Sequence, residues 1–134
     1  MKKFDNFSSN LRVLAQASEQ DRGNEFIVSG IIDKFFVQFE LGWKMLKELL
    51  VYEGVAAAAS GSPRAIVKEA YKIYDFLDAE VWLEMLEQRN DLTHIYDGGR
   101  ARELAEKVIN RYVPEFQKME KAIKDMYGEV LLKL

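Results

Sequence analysis

At 134 residues and 15.5 kDa, with 49% hydrophobic and 31% charged residues, the chain has the size and composition of one globular domain spanning residues 1–134. The absence of cysteine excludes disulfides, thiolate zinc sites and cysteine nucleophiles, and a single histidine excludes a multi-histidine metal site within one chain, so no metal is expected. A net charge of −3 gives nucleic acid no help from bulk charge; with no apolar run near the roughly 18 residues of a membrane span and no signal-like apolar core at the amino terminus, a cytoplasmic protein without membrane contact is expected.

Phe4, Phe7, Leu11, Leu14 and Ala17 follow the three- and four-residue spacing of one helix face, with Gly23 as its stop. A second helix is predicted from Glu25 to Glu53, roughly 40 Å long. Ile27, Ile31, Phe35, Phe39, Leu46 and Leu49 or Leu50 form its stripe, widened by Phe36 and Trp43. Glu40 lies between those two aromatics, an odd place for an unpaired carboxylate. Gly54 closes this helix, and Val55 to Gly61 reads as a loop or frayed end. Ser62-Pro63 is a start signal, and Ile66, Ala70, Ile73 and Leu77 mark the third helix. Asp78 caps a fourth that begins near Ala79, with Val81, Trp82, Met85, Leu86 and Leu92 on its apolar side and Gly98-Gly99 as its break. The last stretch, Arg100 to Tyr127, carries Leu104, Val108, Tyr112, Phe116, Met119, Ile123 and Met126. Pro114 either kinks or splits it, and Leu131-Leu132 is either a loose end or a docked tail. No stretch alternates as a strand does, so the expected fold is all-α, an antiparallel up-and-down bundle of four or five helices.

The chemistry concentrates in Glu87 to Asp97, which holds the one histidine. Continued as a helix, this stretch places Trp82, Thr93 and Tyr96 within about 40° of Arg89, with Asn90, His94 and Asp97 on the neighbouring flank. A charge on a buried stripe needs a partner or a job. Arg89 offers a fork of donors that fits phosphate or carboxylate, His94 titrates near neutral pH, and Tyr96 presents a phenol. The set suits metal-free phosphodiester chemistry, with Arg89 on the phosphate and His94 moving the proton of a ribose 2′-hydroxyl. Acid–base cleavage wants two such groups, which a two-fold dimer supplies. The plainer alternative pairs Arg89 with Glu40 or Asp33 and makes His94 an ordinary helix-end residue. Phe35, Phe36, Phe39, Trp43 and Trp82 read as core or subunit interface, and Lys44, Lys47, Arg64, Lys68 and Lys72 as solvated faces. Gly61-Ser62 lacks the following Asp-x-Asp of a nucleotidyltransferase, and Asp75 and Asp78 have the wrong spacing to replace it.

Arg89-Asn90-Asp91-Leu92-Thr93-His94-Ile95-Tyr96 resembles the Arg-x4-His-x-Tyr motif of the HEPN superfamily. Phe39-Glu40-Leu41-Gly42-Trp43-Lys44, Ser62-Pro63-Arg64 with Lys68-Glu69-Ala70, and Trp82-Leu83-Glu84-Met85-Leu86 are similar to the second, third and fourth helices of its nucleotidyltransferase substrate-binding branch. The resemblance covers most of residues 4 to 127. It implies a homodimeric helical bundle that assembles with a separately encoded minimal nucleotidyltransferase, which uses ATP or another nucleotide, while this chain needs no cofactor. Two roles follow from it. One is a substrate- or nucleotide-binding subunit in a two-gene toxin–antitoxin-type system. The other is a ribonuclease toxin with Arg89 and His94 catalytic in a composite dimer cleft that takes RNA, silenced by AMP transfer to Tyr96. Asn90, Asp97 and Glu40 are the candidate supporting or substrate-binding residues.

Overall fold

A computed structural model describes all of residues 1–134 as helices joined by tight turns, without a strand. Helix α1 (Lys2–Leu14) buries Phe4, Phe7, Leu11 and Leu14, and a 3₁₀ turn over Ala15–Glu19 adds Ala17 to the same face. The chain becomes extended at Gln20, before Gly23, because the Asp21 carboxylate takes the Gly23 N–H at 2.9 Å and so competes with further helix.

Helix α2 (Glu25–Tyr52) is the axis of the bundle. Asn24 Oδ1 caps it by accepting from Phe26 N and Ile27 N. Its 28 residues span about 42 Å and pack against α1 and against every later helix. Gln38, wholly buried, donates to Phe7 O at 3.0 Å and accepts from Asn10 Nδ2 at 2.7 Å, which locks α1 onto α2. The helix ends as the sequence predicts. Gly54 takes φ +83°, Val55 N–H reaches back to Leu50 O and Gly54 N–H to Val51 O, which is the Schellman arrangement. The following Ala56–Ser60 is an ordered 3₁₀ turn with Ala58 fully buried, not a frayed end.

Helix α3 (Pro63–Ile73) starts under the Ser62 hydroxyl, which accepts from Ala65 N at 3.3 Å. Ile66, Val67 and Ala70 face inward. Ile73, expected on that stripe, is exposed, and the buried Leu77 lies in the connection after the helix. The helix stops one residue before Tyr74, whose ring takes the inner place instead. Helix α4 (Ala79–Asn90) is capped by Asp78 and buries Val81, Trp82, Met85 and Leu86.

Helix α5 (Gly98–Lys107) runs through a π turn at Val108–Tyr112 into α6 (Val113–Tyr127). Pro114 therefore sits in the first turn of α6, where its missing N–H costs least, and the wide turn before it makes room for the ring. The path is helical from Gly98 to Tyr127, so five helical rods make the bundle. Tyr127 takes the buried position expected of Met126, which is exposed. The tail is docked: Leu131 is buried and its carbonyl accepts from the Met1 amino group.

The centre is aromatic. Phe35 stacks on Tyr112 at 5.1 Å, Phe7 and Trp82 both meet the ring of Phe116 edge-on, and Phe39 lies 5.8 Å from Trp82. Phe36 and Trp43, which widen the α2 stripe, are only half-buried. Lys44, Arg64, Lys68 and Lys72 are exposed, as expected of solvated faces.

Candidate functional site

The motif does not form one helix. Helix α4 stops at Asn90 because the Asp91 carboxylate turns onto Thr93, accepting from its backbone N–H at 3.0 Å and its hydroxyl at 2.6 Å. Those two bonds also hold the Asp91 carboxyl below its usual range. One 3₁₀ turn, Thr93–Ile95, follows. Asp97 then caps α5, accepting from Arg100 N at 3.2 Å, so Gly98-Gly99 opens a helix where the sequence suggests a break. The wheel that puts Thr93 and Tyr96 on the Arg89 stripe fails past residue 90. Leu92, expected in the core, is 60% exposed, and Tyr96 is 81% exposed.

Within α4 the expectation about Arg89 has a definite partner. Arg89 Nη2 lies 2.6 Å from Glu40 Oε1, an ion contact without well-aligned N–H···O geometry, and the other Glu40 oxygen accepts from Trp43 Nε1 at 2.9 Å. Lys44 stands 3.9 Å from the same carboxylate. The partner is thus Glu40 rather than Asp33. The close approach that allows this comes at Gly42, half a turn beyond Glu40 on α2, and at Trp82, two turns before Arg89 on α4. A Cβ on Gly42 would stand 2.8 Å from Trp82 Cη2, so only glycine lets α4 lie this near α2.

His94 is half-buried, with its ring 5.3 Å from that of Phe36. Phe36 and Glu40 are one turn apart on α2, so His94 and Arg89 dock on successive turns of one α2 face, roughly 6 Å apart along its axis. No hydrogen bond joins the two. His94 stands between two clefts. The larger, about 260 Å³, is walled by Glu25, Val28 and Ser29 of α2, by Ala101 and Arg102 of α5, and by the turn that carries Tyr96. The smaller, about 140 Å³, has Gln88, Asp91, Arg100 and Lys107. Arg89 lines neither. Asn90 is exposed at the end of α4, and Asp97 is a helix cap with Arg100 at 3.9 Å. No group of three or more acidic or histidine side chains is placed to hold a metal. No helix is long and apolar enough to cross a membrane.

Sequence reasoning passes over Phe36 as a docking ring for His94, and over Ser29 and Arg102 as cleft walls. The α2 aromatics are a signal for the first. For Arg102 there is none, because it sits among the exposed polar residues of α5.

The turn that carries His94 and Tyr96, just after Arg89 at the end of α4, is thus clamped between α2 and α5, and these elements lie within one family match. The family model described as nucleotidyltransferase substrate binding protein like matches residues 2–125. The chain belongs to that family. A comparison with curated proteins gave no match. For a nucleotidyltransferase substrate-binding protein-like chain, the match begins at the first residue of α1 and stops two residues short of the end of α6, so it takes in every helix and the motif turn. The family description ties such chains to a nucleotidyltransferase and to the binding of its substrate.

Proposed function

We propose that the chain is the substrate- or nucleotide-binding subunit of a separately encoded minimal nucleotidyltransferase, that it acts as a homodimer within a two-gene toxin–antitoxin-type system, and that the motif turn is the face it presents to its partner. The observation that carries this reading is Tyr96. Its side chain is 81% exposed on a turn, beside an open cleft that also holds His94. An active site on another protein can reach such a phenol without unfolding anything. ATP or another nucleotide belongs to the partner's reaction. In a transfer to Tyr96, the phenol oxygen attacks the α-phosphorus, the bond to pyrophosphate breaks, and the phenol proton passes to a base, for which His94 on the same turn is the local candidate. The test is to mix the purified chain, its partner and ATP and to measure nucleotidyl transfer with and without the chain. A rate that does not change on leaving the chain out counts against the reading.

A second reading is favoured by the docking of Arg89 and His94 against successive turns of α2, at Glu40 and Phe36. In a metal-independent endoribonuclease, the ribose 2′-oxygen attacks the adjacent phosphorus, His94 takes its proton, and the departing 5′-oxygen is protonated by the second copy's histidine, leaving a 2′,3′-cyclic phosphate. Arg89 would hold the phosphate, but it must first exchange Glu40 for it. This reading predicts growth arrest when the chain is expressed alone, relieved by Arg89→Ala or His94→Ala. A harmless wild type that leaves RNA intact removes it.

A further inference from the structure

The cleft beside Tyr96 holds a cation that the motif does not include. Helix α5 carries three basic residues. Arg100 leans on Asp97 at 3.9 Å and Lys107 on Glu84 at 3.4 Å, whereas Arg102 has no carboxylate within ion-pair distance. Its guanidinium folds back over the first turn of α5, where Nη1 lies 3.9 Å from the place a Gly98 Cβ would take. Gly98 and the exposed Tyr96 thus leave the guanidinium open to the cleft. The α2 wall supplies Glu25 and Ser29, and Val28 with Ala101 provides an apolar floor.

We propose that Arg102 is the phosphate-binding residue of this cleft and that the ligand is a mononucleotide. A free guanidinium matches two phosphate oxygens, and no protein carboxylate within ion-pair distance competes with a phosphate for Arg102. A carboxylate and a hydroxyl on the facing helix, Glu25 and Ser29, suit the hydroxyls of a sugar. The volume of about 260 Å³ lies just under the range of roughly 300–1,000 Å³ for small-ligand sites, so the cleft has room for no more than a single nucleotide. A polymer would call for a track of cations, whereas this cleft has one arginine, with its one carboxylate, Glu25, on the facing helix. The proposal rests on the nucleotidyltransferase-partner reading, since it sets a phosphate next to Tyr96.

The experiment is a titration of the full chain with AMP, adenosine, inorganic phosphate and a short adenine oligoribonucleotide, followed by amide chemical shifts. AMP is expected to shift resonances at Ser29, Tyr96 and Ala101. Arg102→Ala should weaken AMP at least tenfold, Arg102→Lys less, and adenosine should bind both wild type and Arg102→Ala equally poorly. Arg102 is exposed, so the variants should melt as wild type does, and Arg102→Lys serves as the retained-charge control. AMP affinity unchanged in Arg102→Ala overturns the proposal. So does absence of wild-type binding up to about 10 mM, which is weaker than about 3 kcal/mol. Phosphate alone matching AMP, or the oligonucleotide binding much more tightly than AMP, also overturns it. If Arg102→Ala binds AMP normally while partner-dependent transfer persists, this inference fails and the subunit reading stands. Loss of chain-dependence in the transfer removes the reading itself.

Discussion

Arg89 and Glu40 join α4 to α2 through a contact of 2.6 Å, and both side chains are about one-third exposed, at 34% and 30%. Fully exposed pairs contribute about 0–1 kcal/mol, and breaking a buried pair costs about 3–5 kcal/mol. This pair lies between, so Glu40→Ala is expected to destabilise by about 1–2 kcal/mol, because Arg89 is left half-buried and Trp43 Nε1 loses its acceptor. A double-mutant cycle with Arg89→Ala should give a coupling of about 1 kcal/mol that shrinks in high salt. Simple additivity of the two substitutions in urea melts would show that the contact holds nothing.

The Gly42–Trp82 approach sets the register of that pair. Gly42→Ala puts a methyl 2.8 Å from Trp82 Cη2 and should cost about 1–3 kcal/mol. Trp82→Phe removes the clashing ring, so the double variant is expected to recover part of the loss. A Gly42→Ala chain with unchanged melting temperature contradicts this.

Glu84 fastens α4 to the π turn. Its carboxylate accepts from Arg111 Nε at 2.7 Å and Tyr112 OH at 2.9 Å, with Lys107 at 3.4 Å. Burial alone would raise its pKa, but these hydrogen bonds and charges outweigh burial and hold the carboxyl below its usual range. A folded-state value below the unfolded one means the stabilisation is present above about pH 4.3 and is lost as pH falls through the folded value. Glu84→Gln should therefore be less stable than wild type at pH 7 by about 1 kcal/mol, with the difference shrinking toward pH 3. Denaturant titrations at the two pH values check this, and a constant difference excludes it.

Tyr74, Tyr112 and Tyr127 are expected to stay protonated until the chain unfolds in alkali. Burial raises all three, joined by the Glu84 bond at Tyr112 and by the Tyr74 and Glu53 bonds at Tyr127. Tyr74 and Tyr127 hydroxyls are 2.5 Å apart, and since Tyr127 donates to Glu53 Oε1 at 2.9 Å, Tyr74 donates to Tyr127. The sign is that of raised values: this stability is full below about pH 10, the unfolded tyrosine value, and lost above it. Absorbance at high pH should show these phenols ionising together with loss of helix. Tyr127→Phe leaves the buried Tyr74 hydroxyl unpaired and should cost about 1–3 kcal/mol.

Much of the fold is legible in the sequence because its signals are local. Ser62, Asp78 and Gly54 act where their side chains or φ require, and Phe4 to Leu14 and Phe35 to Leu50 read as stripes because helix spacing alone decides them. The end of α4 is misread because Leu92, Thr93 and Tyr96 keep the helical spacing. Only the competition of Asp91 for Thr93, together with the capping pattern Asp97-Gly98-Gly99, marks the stop. The choice between Asp33 and Glu40 as partner of Arg89 is not local either. The two acids lie seven residues apart on one face of α2, and the axial register fixed at Gly42 and Trp82 selects Glu40. The cleft of Ser29, Tyr96 and Arg102 joins three elements with no shared spacing, so nothing in the linear pattern announces it.

The central claim is that this chain serves a separate nucleotidyltransferase through the turn that exposes Tyr96. The most direct measurement is transfer of label from α-labelled ATP by the partner, in the presence of the wild-type chain, the Tyr96→Phe variant or no chain. Chain-dependent transfer that falls sharply with Tyr96→Phe is the expected result. Equal transfer in all three mixtures would contradict the account.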